Sequence, residues 1–494
     1  MRGARIAPRA CAGAAAVALI VIGAYGGLPP RAVARPARSE RTTTVAPGLT
    51  LTKIQRKHPA QRIRVLTMTP SSRLTLDVVL ANDTIPGHEQ TSSMASRSDA
   101  IAAINGDYTL LPSRAGAGRP VNTFINDGEL VTSPLIWGRN FALSRDEQTA
   151  YFGHARLSIQ MLEVDVGKTW KIKRWNDWTD ESDDGSLSGY TKAGGQLFKP
   201  LADACSVRLF PTGMVTWSAD GTGITRGYTV DQVKCSERRL ARRGGVVLST
   251  PRSTKQAARL EQSLTPSEAV TITWSMGSWG GILDTIGGNP DVVENGALAA
   301  GECTVSYFCR RNPRTGVGVR PDGKILMVTV DGRSKRSKGM TLDEFGRLFQ
   351  SLGATWALNM DGGGSTTMVV RDEVVNVPSD GYERPVGSAL VVLPGPDAAE
   401  PEPGPYQSPT PVPTLPSPLP TTPPLSPGWV VPSGERSVAP ACSSTLDAGS
   451  TGGMLDALAR GDLTGRRVSL AHSLRSALET FRGTELCPAQ RFPK

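Results

Sequence analysis

The stretch Asn359-Met360-Asp361-Gly362-Gly363-Gly364-Ser365-Thr366-Thr367 gathers a carboxylate, an amide and three hydroxyls around three consecutive glycines. Glycine loses much backbone entropy on folding, so a run of three is kept where side chains would be in the way. With polar groups on both flanks, the expected visitor is a polar ligand approaching the backbone. The plain alternative is a tight turn, because glycine punctuates loops.

The elements around this run suggest how it is held. Ile325–Val330 is an apolar, β-branched run ending in Asp331-Gly332-Arg333. Thr341-Leu342-Asp343-Glu344 has the spacing of a capping box and predicts a helix start. Leu342, Phe345, Leu348, Phe349 and Leu352 form its apolar stripe, and Gly353 suits its end. A second apolar run, Ala354–Leu358, leads into Asn359. Strand, helix and strand in this order predict a βαβ unit with two parallel strands. Both strands then stop in Asp-Gly at the carboxyl edge of the sheet, where open α/β sheets bind ligands. Asp331 and Asp361 are thus expected to face one site with Arg333, Asn359 and Ser365, unless both are ordinary Asp-Gly turns. Two further loops supply charge. Arg310-Arg311-Asn312-Pro313-Arg314-Thr315-Gly316 offers arginines for a carboxylate or phosphate. Pro378-Ser379-Asp380-Gly381-Tyr382-Glu383-Arg384-Pro385 packs two acids and an arginine together. Solvated surface is the usual fate of such loops.

A chain of 494 residues accommodates more than one domain and a sizeable core. Arg2, Arg5 and Arg9 precede the apolar run Ala10–Leu28, and Ala32-Val33-Ala34 offers a small-x-small cleavage site, so residues 1–34 read as an export signal. A run of about nineteen apolar residues also leaves an uncleaved membrane anchor open. Cys11 lies in that segment, and the six cysteines beyond it suit disulfides of an oxidising compartment. Proximity favours Cys205–Cys235, Cys303–Cys309 and Cys442–Cys487. No CxxC spacing occurs, and His58, His88, His154 and His472 are scattered, which argues against a Cys/His zinc site. The formal charge of +10 comes without a long basic stripe, so nucleic acid is not an expected partner.

Residues 35–50 read as an unstructured leader and 51–394 as the main folded domain. The class expected is α+β, strand-rich with a βαβ unit. Ile125-Asn126-Asp127-Gly128-Glu129-Leu130 predicts a hairpin with a type I′ turn, and residues 150–280 look strand-rich. Residues 395–440 form a Pro-rich, extended linker. Residues 441–494 read as a small helical module closed by Cys442 and Cys487, with Leu470, Leu474, Leu478 and Phe481 on one helix face.

Asn359–Val370 resembles the hallmark of the phosphodiester glycosidase family. Similar to that family in the same order are Ala103-Ile104-Asn105-Gly106-Asp107-Tyr108, Asn312–Gly318, Val330–Arg333, Gly339–Leu342 and Pro378–Pro385. The resemblance covers roughly residues 60–394, and the ordered series is more specific than any single piece. Members usually carry Asn-Gly-Gly-Phe where this chain has Asn105-Gly106-Asp107-Tyr108. The resemblance implies removal of a sugar, N-acetylglucosamine in the known activity, from a phosphodiester. Its transition state has oxocarbenium character, so a carboxylate near the anomeric carbon stabilises charge or delivers water. Asp361 or Asp331 is expected as base or nucleophile, with Glu383 as runner-up acid/base. Arg314, Arg333 and Arg384 would clamp the phosphate. Asn105, Gly106, Thr315, Asn359, Gly362, Gly363, Gly364, Ser365, Thr366, Ser379 and Asp380 would complete the substrate site.

The expected partner is a sugar-phosphodiester or cell-surface glycan. A non-catalytic glycan-binding protein using the same cleft is the rival reading, and a structural surface protein fits the motifs poorly. No cofactor is implied, and a bound divalent cation stays open. Gly318–Lys324 nearly matches a P-loop, but Ile325 replaces the Ser or Thr and no helix follows, so nucleotide is not expected. Asp180–Gly185 starts like a calcium loop but has Thr191 where Glu is needed. Ser365 lacks a Gly-x-Ser-x-Gly elbow. Trp170, Trp175 and Trp178 suit core or loop packing better than a sugar platform.

Overall fold

The computed structural model describes residues 38–396, apart from residues 72, 111–115, 136–137, 148, 178–185, 195–203, 219–220, 237–244 and 300–305. The export signal, linker, C-terminal module, Asp180–Gly185 loop, Trp178 and Cys303 therefore lie outside the described residues.

Two antiparallel sheets face each other across the main core. The first runs Arg38–Ala46, Leu49–Lys57, Ala60–Met68, Ile325–Val330, Arg314–Val319, Trp356–Asn359, Asp291–Glu294 and Ala297–Leu298 in spatial order. The second runs Glu373–Val374, Met368–Val370, Ala102–Asn105, Ser388–Pro394 and Leu74–Leu80. Strand alternation divides the apolar residues between layers. Leu66, Met68, Ile325 and Met327 turn towards Leu74, Leu76, Val78, Ile104 and Leu390 of the second sheet. Ile63, Val65, Leu326, Val328 and Val330 turn the other way, under the helix Leu342–Ser351. The outer face of the second sheet is covered by the helix Thr91–Arg97 through Met94 and Ala95. Because both of its faces are buried, Ile325–Val330 is apolar apart from Thr329. A third sheet contributes Phe124, Phe141, Leu143 and Ile286 to the same core.

The helix Leu342–Ser351 has the expected capping box: Thr341 Oγ1 accepts from the Glu344 amide, and the Glu344 carboxylate accepts from the Thr341 amide. Leu342, Phe345, Leu348 and Phe349 are buried against the sheet, each stabilising by about 1.5–3 kcal/mol. The βαβ unit forms in split form. Arg314–Val319 lies between Ile325–Val330 and Trp356–Asn359 and is antiparallel to both. The two outer strands are therefore parallel, and their carboxyl ends share one edge. The hairpin between Phe124–Asn126 and Glu129–Thr132 turns at Asp127 (φ 50°) and Gly128 (φ 75°), the left-handed pair that a type I′ turn needs. Arg320–Lys324 is the turn of an antiparallel hairpin, as expected.

Between the two halves of this sandwich the chain builds a closed barrel. Its strands follow the order Ala204–Pro211, Val246–Pro251, Leu187–Tyr190, Lys168–Trp175, Leu157–Glu163, Ala269–Met276 and Gly223–Ser236, which returns to Ala204–Pro211. Trp170, Trp175 and Trp274 fill its interior. Two of the three tryptophans weighed as a sugar platform are therefore core residues. Cys205 and Cys235 are register partners and form the expected disulfide. Cys309 is disulfide-bonded too.

One expectation is corrected. Residues 38–50 are not an unstructured leader: Arg38–Ala46 and Leu49–Lys57 form a hairpin on the edge of the first sheet. Thr42, Thr43, Thr44 and Val45 are β-branched, and Val45, Leu49 and Leu51 enter the core.

Candidate active site at the carboxyl edge of the first sheet

Asp361 follows Trp356–Asn359, and its backbone is fixed from the neighbouring sheet. Its amide donates to the Gly106 carbonyl at 3.1 Å, and its carbonyl accepts from Asn105 Nδ2 at 2.8 Å. Asn105 Oδ1 in turn accepts from Thr315 Oγ1 and from the Thr367 amide. Asn105 and Thr315 are fully buried and spent in this network. Asn105, Gly106 and Thr315 therefore position the loop rather than offer free groups to a ligand.

The Asp361 carboxylate accepts from the Gly362 amide at 2.9 Å. Burial raises this carboxyl to about 6, with Ser365, Arg384, the Gly362 amide and Arg333 pulling the other way. It is thus ionised at neutral pH yet binds a proton in mild acid.

Gly363–Ser365 is a single tight turn in which Gly363 has φ 63°. A methyl on Gly364 would lie 2.1 Å from Arg384 Nη2 and 2.2 Å from Asp380 Oδ2. One on Gly363 would lie 3.0 Å from Arg333 Nη2. Charged side chains thus rest directly on the Gly363 and Gly364 backbone, and a methyl on Gly362 would lie 2.8 Å from the Pro313 carbonyl oxygen, which explains the triple glycine physically. Asp380 holds both arginines: Arg384 Nε donates to it at 2.9 Å, and Arg333 Nη1 stands 3.9 Å from its other oxygen. Arg333 also donates to Asn312 Oδ1 and to the Tyr307 hydroxyl. Ser379 Oγ stands 3.4 Å from Asp380. Two guanidiniums thus share one carboxylate beside Asp361, an arrangement suited to an anionic ligand.

Three expected participants are occupied elsewhere. Glu383, the runner-up acid/base, turns both carboxylate oxygens to Ser92, accepting from its amide at 2.7 Å and its hydroxyl at 2.6 Å. It caps the first turn of the helix Thr91–Arg97, a favourable place for a carboxylate. Asp331 is engaged through one oxygen only: Oδ1 accepts from the Val377 amide at 3.0 Å, while the buried Oδ2 has no hydrogen-bond partner among the described residues. Burial raises its carboxyl, while the Val377 amide and Arg64 oppose the shift. It secures the segment behind the site rather than pairing with Asp361. Arg314 is buried and donates to the carbonyls of Met340, Phe308 and Arg310. Burial lowers its guanidinium to about 10. It braces the site wall, which leaves Arg333 and Arg384 as the arginines of the cluster beside Asp361. Asn359 Nδ2 donates to the Tyr108 hydroxyl and the Asn289 carbonyl, while its Oδ1 and Thr366 Oγ1 have no hydrogen-bond partner among the described residues.

Asp107 was not among the expected site residues. Both its oxygens accept from Asn122, one from the amide and one from Nδ2, each at 2.8 Å. Burial raises its carboxyl to about 7, and the Asp361 charge adds to that rise. The signal for it was the departure from Asn-Gly-Gly-Phe, a carboxylate where glycine is usual. No group of His, Cys, Asp and Glu suited to a metal ion occurs among the described residues.

Residues 222–393 match the family model described as phosphodiester glycosidase. This part of the chain is similar to that family. The matched part includes Asp361, Asp380, Arg333 and Arg384, whereas Asn105–Tyr108 precede it. Over 82 residues the chain is 43% identical to the SPbeta prophage-derived uncharacterized protein YomE of Bacillus subtilis (strain 168), a match covering 17% of this chain and 13% of that protein. Two solved structures share the fold. A hypothetical protein from Synechocystis superposes with a TM-score of 0.55 at 18% identity, covering 72% of this chain and 63% of that one. A Burkholderia pseudomallei K96243 protein inferred to be exported gives 0.55 at 19% identity, covering 75% and 99%.

Proposed function

We propose that the chain is a secreted hydrolase that cleaves the bond between a sugar anomeric carbon and a phosphodiester oxygen in cell-surface or exopolysaccharide material. The observation that carries this reading is the placement of Arg333 and Arg384 on the Gly363-Gly364 backbone next to the buried Asp361. The arginines would bind the phosphate, and the side-chain-free floor would let it approach closely. Asp361, ionised at neutral pH, would stabilise the oxocarbenium-like centre or activate water. Cleavage of the C1–O bond releases the phosphate as a monoester. Water supplies hydroxide to C1 and a proton to the leaving oxygen. A phosphate is a stable leaving anion, so the arginines can provide much of the assistance that a general acid gives elsewhere. This agrees with a site in which Glu383 is committed to a helix cap.

Secretion is supported by the disulfide Cys205–Cys235. A panel of sugar 1-phosphodiesters tests the reaction. Release of free sugar and a phosphomonoester is expected from the wild type and not from Asp361→Asn. Tight binding without release across the panel would replace the enzyme by a glycan-binding protein. Unchanged turnover by Asp361→Asn would remove Asp361 from the chemistry.

A further inference from the structure

Immediately after the first sheet's edge, Arg333-Ser334-Lys335-Arg336-Ser337-Lys338 places four cations in six residues with no acid among them. Only Arg333 takes part in the cluster around Asp361. Lys335, Arg336 and Lys338 are exposed, and no ion pair holds them among the described residues. A charged loop is usually no more than a solvated turn, but this one is built rigidly. Ser334 and Ser337 close it through the Ser334 amide to the Ser337 carbonyl at 3.0 Å and the Ser337 amide to Ser334 Oγ at 3.0 Å. Ser337 is buried and donates to the Asp331 carbonyl at 2.5 Å while accepting from the Arg62 amide at 3.0 Å. The Lys338 amide then donates to the Ala60 carbonyl, which seats the loop on the Lys57–Ala60 turn. That turn adds exposed Lys57. On the other side, Asn312 accepts from Arg333 and donates to the carbonyl of Arg310, which is also exposed. The acids nearby are engaged: Glu344 with Arg311, Asp380 with Arg384, and Asp331 with the Val377 amide. Next to Arg333, which Asp380 holds, a fixed strip of exposed cations thus follows that has no ion pair among the described residues.

We infer that the Arg333–Lys338 loop, with Lys57, is an extended subsite for the next repeats of a polyanionic glycan in which phosphodiesters join successive sugars. The inference rests on the proposed reaction at Asp361 and names its substrate class: a poly(glycosyl 1-phosphate) chain rather than an isolated sugar phosphodiester. One phosphate would sit on Arg333 and Arg384, and the following ones would lie along Lys335, Arg336 and Lys338. Exposed cations raise the local concentration of a polyanion and act through long-range attraction that salt weakens. Nucleic acid fits less well, because the loop carries no aromatic side chain on which bases would stack.

The test compares the wild type with the triple variant Lys335→Gln, Arg336→Gln, Lys338→Gln, whose exposed positions leave the fold and Asp361 untouched. Equilibrium binding and turnover are measured with a poly(glycosyl 1-phosphate) and with a single sugar 1-phosphodiester bearing a small neutral aglycone. For the polymer, Kd and KM are expected to rise about ten-fold, with kcat kept and most of the salt dependence lost. The small substrate should not distinguish the two proteins. Equal polymer binding by wild type and variant overturns the inference, as does equally tight binding of a single-stranded DNA oligonucleotide of the same charge. Failure of the wild type to turn over either substrate would count against the proposed reaction, and polymer binding would still decide the fate of the subsite.

Discussion

The barrel and the sheet edge are both densely buried, but they treat polar groups in opposite ways. In the barrel the large side chains find partners. Trp274 Nε1 donates to the Gly128 carbonyl, Trp175 Nε1 to the Leu130 carbonyl, and Trp170 to Glu163. Among the described barrel residues only Ser188 leaves a buried side-chain oxygen unpaired. At the sheet edge, Asn122, Asn359, Thr366 and Thr367 all do so, and the carboxyls of Asp107 and Asp361 lie in surroundings that disfavour their charge. Unpaired buried polar atoms and uncompensated charges are destabilising. Such departures from local consistency concentrate where a protein does chemistry. The barrel therefore supplies stability and the edge spends it.

This contrast predicts opposite responses to substitution. Asp361→Asn should lower kcat by about a thousand-fold or more, as loss of a glycosidase carboxylate does. The same change should stabilise the fold at neutral pH. The folded carboxyl titrates at about 6 against an ordinary value of 3.8, so ionisation weakens the folded state as pH rises between these values. Neutral asparagine escapes that penalty, roughly 3 kcal/mol at most. Thermal melts at pH 7 should show the gain, and melts well below pH 3.8 should not. A loss of stability at pH 7 would contradict the contrast. Trp274→Ala should do the reverse, removing about 3–5 kcal/mol of stability while kcat per folded molecule stays unchanged below its melting range. Denaturant titration with parallel kinetics would show it, and a matching fall in kcat would mean that the barrel takes part in the chemistry.

Local chemistry made part of this architecture legible in the sequence. Thr341 and Glu344 announced the helix, Asp127-Gly128 the hairpin, and the two Asp-Gly strand ends the shared edge. The family-like loops brought Arg333, Asp380 and Arg384 to the glycine run. What the chain concealed depends on distant pairing. The interposed strand Arg314–Val319 precedes the unit that it splits. Barrel closure rests on Ala204–Pro211 meeting Gly223–Ser236, which no local pattern encodes. Glu383 read as a free acid because Ser92, 291 residues away in sequence, gives no hint of the helix cap. Asp331 and Asp361 look equivalent as Asp-Gly strand ends, yet Val377 claims one and the glycine run surrounds the other.

Two further substitutions refine the picture of the edge. Gly364→Ala should lower kcat/KM by about a hundred-fold, because displacing groups by an ångström in a positioned site has that scale of effect. Its methyl would overlap the Arg384–Asp380 pair. The loss should fall mainly on KM if the arginines bind phosphate, and purely on kcat if they do not. The smallest change is expected from Asp107→Asn. Asp107 titrates at about 7 and Asp361 at about 6, so Asp107 is still mostly neutral where Asp361 ionises, and the two charges oppose each other only at higher pH. The acidic limb of the kcat/KM profile should therefore keep its midpoint, and an inflection near pH 7, where the like charge of Asp107 comes on, should vanish in the variant. Asn122 donates to both Asp107 oxygens, and an asparagine amide would present a donor to one of those donors, so some stability should be lost as well. That loss alone would leave the pH profile in place. Loss of an inflection near pH 7 would show that the residue found where glycine is usual acts electrostatically on the site, whereas a profile identical in both proteins would assign Asp107 to holding Asn122.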